Sequence, residues 1–304
     1  MITVSVPSND ARDLLGELPD GVRVLVWDGH RSRPGGADDI EFFVGRYDAG
    51  PPPPDVLAGL SRLKVIQLVS AGVEPWLPVV PDGVLLCNGR GVHGPSTAEL
   101  AVAGMLALLR RLPAFAAAQR RHEWVDTSTE SLDGLRVLVI GAGDIGARIA
   151  AAARVFGAET TMVARTARDG VHALGELPDL LPQHQVAAVA VPQTTETAGL
   201  VDAAFLAAMP DRAILVNIAR GGIVDTAALL AELQAGRLRA FLDVTDPEPL
   251  PGDHPLWTAP GLVLTPHIGG GTSGSDGRAY RLVTRQITRY AAGEELENKV
   301  ANGY

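Results

Sequence analysis

Three side chains in the second half of the sequence, Arg220, Glu248 and His267, each lie just beyond an apolar run of strand type. Their types suit one reaction. Arg220 offers a permanently charged planar fork that can grip a carboxylate through two parallel hydrogen bonds. His267 is the only histidine directly at a strand end in that half, and imidazole is the side chain best matched to proton transfer near neutral pH. A neighbouring carboxylate would raise its pKa and keep it charged, and Glu248 is the candidate. Hydride transfer to a 2-oxo acid needs these three parts: a cation for the carboxylate, an acid for the forming alkoxide, and a group that tunes the acid. Taken singly, each has an ordinary reading as a solvated arginine, a surface glutamate or a satisfied structural histidine. Their shared position past strand ends is what joins them.

A hydride needs a carrier. The pattern GxGxxG, which fits a backbone closely around a pyrophosphate, occurs at Gly89–Gly94 (GRGVHG), Gly141–Gly146 (GAGDIG) and Gly269–Gly274 (GGGTSG). With 34 glycines in 304 residues, roughly 0.4 matches arise by chance, so context decides. Around Gly141 the context is complete: the strand LRVLVI leads in, the helix IGARIAAAARVF leads out and the strand ETTMVAR follows. This βαβ unit predicts a dinucleotide on the helix N-terminus, with Gly141, Gly143, Asp144, Ile145 and Gly146 around the phosphates. The Gly89 match runs into Pro95 with no second strand and reads as a structural loop, and the Gly269 match reads as a flexible connection. HEWVD at His122 lacks the second histidine of a zinc HExxH, and no other metal spacing is present, so no metal is expected.

The elements that must position these residues are short Val- and Ile-rich runs between helical stretches, the pattern of strands buried on both faces of parallel sheets. Five fall near residues 3–6, 22–27, 40–45, 65–70 and 84–88. A long helical segment at 96–121 follows, then six more strands near 135–140, 159–164, 186–191, 213–218, 239–244 and 262–266, and a last helix at 276–292 expected to pack back on the first domain. The expected fold class is α/β, two doubly wound parallel-sheet domains, the second of Rossmann type.

A net charge of −9 argues against a nucleic-acid surface, which would need a clustered basic excess. The single Cys87 cannot form an internal disulfide, and the apolar stretch near residues 100–109 is too short to span a bilayer. These features point to a cytoplasmic protein.

The runs GAGDIG at 141, VNIARGGIVD at 216–225, DVTDPEPLP at 243–251, PLW at 255–257 and TPHIGG at 265–270, with STAEL at 96–100, resemble the D-isomer-specific 2-hydroxyacid dehydrogenase family. The likeness covers about residues 88–270. It implies a flavodoxin-like catalytic domain formed by 1–95 and 271–304, with the Rossmann dinucleotide-binding domain, 96–270, inserted into it, and a homodimer. It further implies that Arg220 binds and polarises the substrate, that His267 is the acid/base and that Glu248 pairs with it. The backbone of Ser70, Ala71 and Gly72 is implied to hold the substrate carboxylate. Asp243 and the backbone of Ile218, Ala219 and Arg220 are implied at the nicotinamide end, His267, Gly269 and Gly270 among the further cofactor contacts, and Val191, Pro192 and Thr197 beside the adenosine half.

One departure bears on the cofactor. Many NAD-using members have an Asp at the end of the second strand, whereas here the run is Val163-Ala164-Arg165-Thr166-Ala167-Arg168. Arg165, Thr166 and Arg168 suit a 2′-phosphate, so NADP is expected, with NAD as the alternative. The sequence is thus read as a glyoxylate- or hydroxypyruvate-type reductase of a small 2-oxo acid. The competing reading is a dinucleotide-sensing, corepressor-like interaction protein of the same fold.

Overall fold

The structure is a computed structural model that describes residues 1–47 and 49–300. The chain divides into two compact units, Met1–His93 together with the segment that starts at Gly271, and Gly94–Gly270.

In the first unit, strands β1 (Ile2–Val6), β2 (Val22–Val26), β3 (Ile40–Val44), β4 (Val65–Gln67) and β5 (Leu85–Cys87) form a parallel sheet in the order β2-β1-β3-β4-β5. This is the flavodoxin-like order. Helices α1 (Asn9–Asp13) and α2 (Pro54–Ala58) are short. Successive strand residues point to opposite faces, so Phe42 joins Val4 and Val6 in one core while Phe43 joins Ile66, Leu68 and Trp76 in the other. Burying each of these rings stabilises the unit by roughly 1.5–3 kcal/mol. The last helix, which is α9 (Ser275–Ala291) once the helices of the other unit are numbered, covers the first of these faces with Ala279, Leu282, Val283 and Ile287, a helical stripe.

In the second unit the helices are α3 (Gly94–Leu109), α4 (Leu112–Arg120), α5 (Asp144–Val155), α6 (Leu177–Leu180), α7 (Ala203–Ala208) and α8 (Thr226–Gln234). The strands are β6 (Arg136–Ile140), β7 (Glu159–Ala164), β8 (Val171–Ala173), β9 (Val186–Val189), β10 (Ile214–Asn217), β11 (Arg239–Leu242) and β12 (Leu262–Leu264), ordered β12-β11-β10-β9-β6-β7-β8 and all parallel. The order reverses between β6 and β9, the switch point at which open sheets of this kind take ligands. Val137, Val139, Ala188 and Val216 pack under α3, and Leu138, Ile140, Val189 and Leu215 pack under α7 and α8.

Three expectations need correction. The single helix expected at 96–121 is two helices bent by 64°, because Arg111 takes a left-handed backbone (φ 53) and Pro113 starts a new first turn. Seven strands stand where six were expected; β8 is only three residues long, too short to show a period. Several strands end one to three residues early. Val191, Ile218 and Val244 are buried in loops rather than in the sheet, and their apolar character reads as strand in the sequence. No single helix among the described residues is long and apolar enough to cross a membrane.

Candidate active site

The loop after β6 is shaped for close approach. Gly141 has φ +118, and a Cβ on Gly146 would lie 1.7 Å from the Gly141 carbonyl oxygen, so the strand can turn into α5 this tightly only with glycine there. A Cβ on Gly143 would meet nothing within 4 Å, so open space lies over the N-terminus of a twelve-residue helix that has no side-chain cap. That is a cradle for a pyrophosphate, which would receive the unpaired N–H groups and the positive end of the helix dipole. Asp144 is turned aside: one carboxylate oxygen accepts from Arg148 Nε at 2.9 Å and the other is buried against Gly94. The side chain is thus turned from the cradle, which leaves its main chain to face a phosphate.

β7 ends at Ala164, so Arg165, Thr166 and Arg168 lie in the exposed turn that follows, and none of residues 165–168 is a carboxylate. Arg168 Nη2 reaches across to donate to the Ala142 carbonyl at 3.1 Å. On the other side of the switch point, after β9, Val191 is buried, and Thr197 donates its hydroxyl to the Pro192 carbonyl at 2.6 Å while accepting from Thr194 N at 2.8 Å. Thr197 therefore shapes the 192–197 turn.

The strongest polar geometry lies past β11 and β12. His267 Nδ1 and Glu248 Oε1 are 2.5 Å apart, both side chains being partly exposed. A carboxylate can only accept, so Nδ1 carries the proton and Nε2 is left to give or take one. His267 has a left-handed backbone (φ 54), unusual for a histidine and the kind of local strain that persists where surrounding bonds over-determine it. Asp243 supplies those bonds. Its main-chain carbonyl accepts from His267 N at 2.7 Å, and its buried carboxylate accepts from Thr265 Oγ1 at 2.6 Å and from the N–H groups of Ile268 and Gly269, both at 2.9 Å. The histidine is therefore pinned on both sides, and of the Gly269–Gly274 stretch read from sequence as a flexible connection the first residue is held by Asp243. Beside the pair is a cavity of about 390 Å³ whose apolar walls include Leu250, Trp257, Leu264 and Pro266.

Arg220 follows β10, which neighbours β11, so it shares the carboxyl edge of the sheet with Asp243 and His267. Its guanidinium donates to the Ala219 carbonyl at 2.7 Å. Asn217, not singled out from sequence, holds this turn: its fully buried amide donates to the Arg220 carbonyl at 2.9 Å and accepts from Ala219 N at 3.0 Å. A polar residue ending an otherwise apolar strand was the available signal. Ser70, Ala71 and Gly72 lie past β4 in the first unit, where Ser70 O accepts from Gly89 N at 2.6 Å and Asn88 Nδ2 donates to the Ala71 carbonyl at 3.2 Å. The glycine at 89 is packed against the Val69–Ser70 backbone, as a structural loop requires.

Known proteins resemble this arrangement. The family model for the NAD binding domain of D-isomer specific 2-hydroxyacid dehydrogenases matches residues 102–269. D-3-phosphoglycerate dehydrogenase of Mycobacterium tuberculosis is 36% identical over 260 residues, 82% of this chain and 49% of that protein. The chain thus spans about half the length of the phosphoglycerate dehydrogenases it matches. Glyoxylate/hydroxypyruvate reductase A of Salmonella choleraesuis is 33% identical over 272 residues, 83% of this chain and 85% of that one. The crystal structure of a D-isomer specific 2-hydroxyacid dehydrogenase from Xanthobacter autotrophicus Py2 in complex with NADPH and MES superposes with a TM-score of 0.86 at 29% identity, covering 100% of this chain and 99% of that one. With a matching domain over more than half its length and a full-length likeness of this quality, the chain belongs to the D-isomer specific 2-hydroxyacid dehydrogenase family.

Proposed function

We propose that the chain is an NADPH-dependent reductase of small 2-oxo acids of the glyoxylate or hydroxypyruvate kind. The observation that carries this is the His267–Glu248 pair, 2.5 Å apart, at the carboxyl edge of a sheet whose switch point carries an empty-faced, glycine-built helix N-terminus. When bound, the nicotinamide supplies the hydride. The Gly94–Gly270 unit is its holder: the main chain of Gly141, Gly143, Asp144, Ile145 and Gly146 takes the pyrophosphate, Val191, Pro192 and Thr197 wall the adenosine side, and Ile218, Ala219, Asp243, Gly269 and Gly270 adjoin the nicotinamide. Arg220 binds the substrate carboxylate. His267 Nε2 donates a proton to the oxygen that gains charge as the carbonyl is reduced, while Glu248 keeps the ring in register.

NADPH is preferred because Arg165, Thr166 and Arg168 follow β7 where a carboxylate would repel a 2′-phosphate. The NADPH held by the Xanthobacter relative supports this, as the Salmonella reductase supports the substrate class. The exposed Trp124, at 98% of its full accessible surface, supports assembly as a homodimer, for which sedimentation should give about twice the 31.8 kDa of one chain. The lone free cysteine, Cys87, supports a reducing compartment, the cytoplasm; cell fractionation checks it.

The test is a panel of glyoxylate, hydroxypyruvate, pyruvate and longer 2-oxo acids with each cofactor, following the absorbance of the reduced nicotinamide. NADPH consumption with glyoxylate and hydroxypyruvate is expected, and Arg165→Ala should erode the preference for NADPH by about 10- to 150-fold, the worth of one charge-assisted contact. Binding without consumption across the panel overturns the enzymatic reading, and equal efficiencies with NADH overturn the assignment of Arg165.

A further inference from the structure

The amino ends of β10, β11 and β12 border a second cavity, of about 320 Å³, at the opposite end of these strands from Arg220, Asp243 and His267. It is large enough for a small ligand. Its floor is apolar, with Leu108, Leu262 and Val263, while its polar wall holds Arg111, Arg212 and Arg239 against a single carboxylate, Glu130. Glu130 is already shared: Arg212 Nη2 donates to one oxygen at 2.6 Å, and Arg239 donates to both at 3.1 and 2.9 Å. Three guanidiniums against one carboxylate leave a surplus of two positive charges in a chain whose net charge is −9.

The backbone holds this surplus in place at some cost. Of the five non-glycine residues with a left-handed backbone among the described ones, Arg111 (φ 53) and Arg212 (φ 66) both line this cavity, and a third is His267. Strain of this sort collects where side chains are held for a ligand. Arg239 fixes the Arg212 turn by donating Nε and Nη2 to its carbonyl at 3.0 and 2.6 Å. A structural ion pair with Glu130 is already made by Arg239, 18% exposed in its side chain, whereas Arg212 is 71% exposed, so its pairing there adds little to stability.

We propose that this cavity binds a small phosphate monoester with an apolar body. A monoester carries about −1.5 to −2 charges at neutral pH, which matches the surplus, and guanidiniums recognise its oxygens in pairs. The apolar floor takes the body. This site is independent of the reaction assigned to the other end of the sheet.

The probe is phenyl phosphate, titrated calorimetrically into the full chain, with inorganic phosphate and Arg220→Ala as controls. Saturable binding is expected, at least about tenfold tighter than inorganic phosphate. Arg111→Ala and Arg212→Ala, both exposed and tolerable, should each weaken it by about 10- to 150-fold, and Arg220→Ala should leave it unchanged. Circular dichroism of the variants confirms that they fold. Should either turn out unfolded, Arg212→Lys, which keeps the charge without the fork, is expected to weaken binding in its place. Absence of saturable binding, equal affinity for inorganic phosphate, indifference to the folded arginine variants, or loss of binding in Arg220→Ala would each overturn the proposal.

Discussion

At the scale of single residues, the proposed reaction rests on one imidazole whose tautomer is decided by its neighbour. Glu248 accepts from Nδ1 at 2.5 Å, and an acceptor-only partner leaves Nε2 as the nitrogen that exchanges a proton with substrate. His267→Ala removes that nitrogen, so turnover should fall by roughly 100- to 10,000-fold with NADPH affinity little changed, since the phosphates are held elsewhere. Glu248→Gln is more informative. The amide still offers an oxygen to Nδ1 but loses the charge, so kcat should drop by about 10- to 150-fold, the worth of a charge-assisted bond, while KM moves little. Steady-state kinetics and cofactor-binding titrations read both variants. Near-normal turnover in His267→Ala would remove the histidine from the mechanism.

At the scale of elements, what could be read from sequence was whatever repeats or punctuates. Apolar runs located the strands, and the glycine pattern between strand and helix located the cradle, because both are local. The residues past strand ends then followed from the habit of open sheets. What escaped depends on contacts made across the fold. Apolar residues at helical spacing run on both sides of the break at Arg111, so Pro113, the local mark of a new first turn, was read through, and β8 is too short for any period. Asn217 acts through the turn that it holds, and the role of Asp243 as the clamp around His267 rests on partners 22 to 26 positions away. That clamp makes a prediction. Asp243→Asn turns an acceptor of three donors into a group with one donating end, leaving at least one buried N–H or hydroxyl without its partner. Stability should fall by about 1–3 kcal/mol in urea unfolding, with a loss of kcat larger than any change in cofactor affinity. If kcat is retained, the left-handed histidine is held by something other than Asp243.

At the scale of the whole molecule, acid should weaken the fold in two stages. Asp28 is held below the usual carboxylate range despite burial, by the N–H of His30 and Arg31 and by Arg46, and Glu130 is held low by Arg239 and Arg212. His184 is lowered from 6.5 for a different reason: burial penalises its charged form, outweighing the Leu180 carbonyl that accepts from Nδ1 at 2.7 Å, while the Thr161 hydroxyl sits 2.9 Å from Nε2. In all three the folded pKa is below the unfolded one, so the unfolded chain binds more protons in the window between them. Stability is therefore full above the unfolded value and is lost as pH falls through the folded one. For His184 the loss begins near 6.5; for Asp28 and Glu130 it begins near 3.8 and 4.5. The urea midpoint should decline first as pH falls below about 6.5 and again, more steeply, below about pH 4.5. His184→Gln keeps a donor and an acceptor but does not titrate, so it should flatten the first decline and leave the second. An equal slope in variant and wild type between about pH 6.5 and the onset of the second decline would show that His184 is not the group that charges on unfolding there.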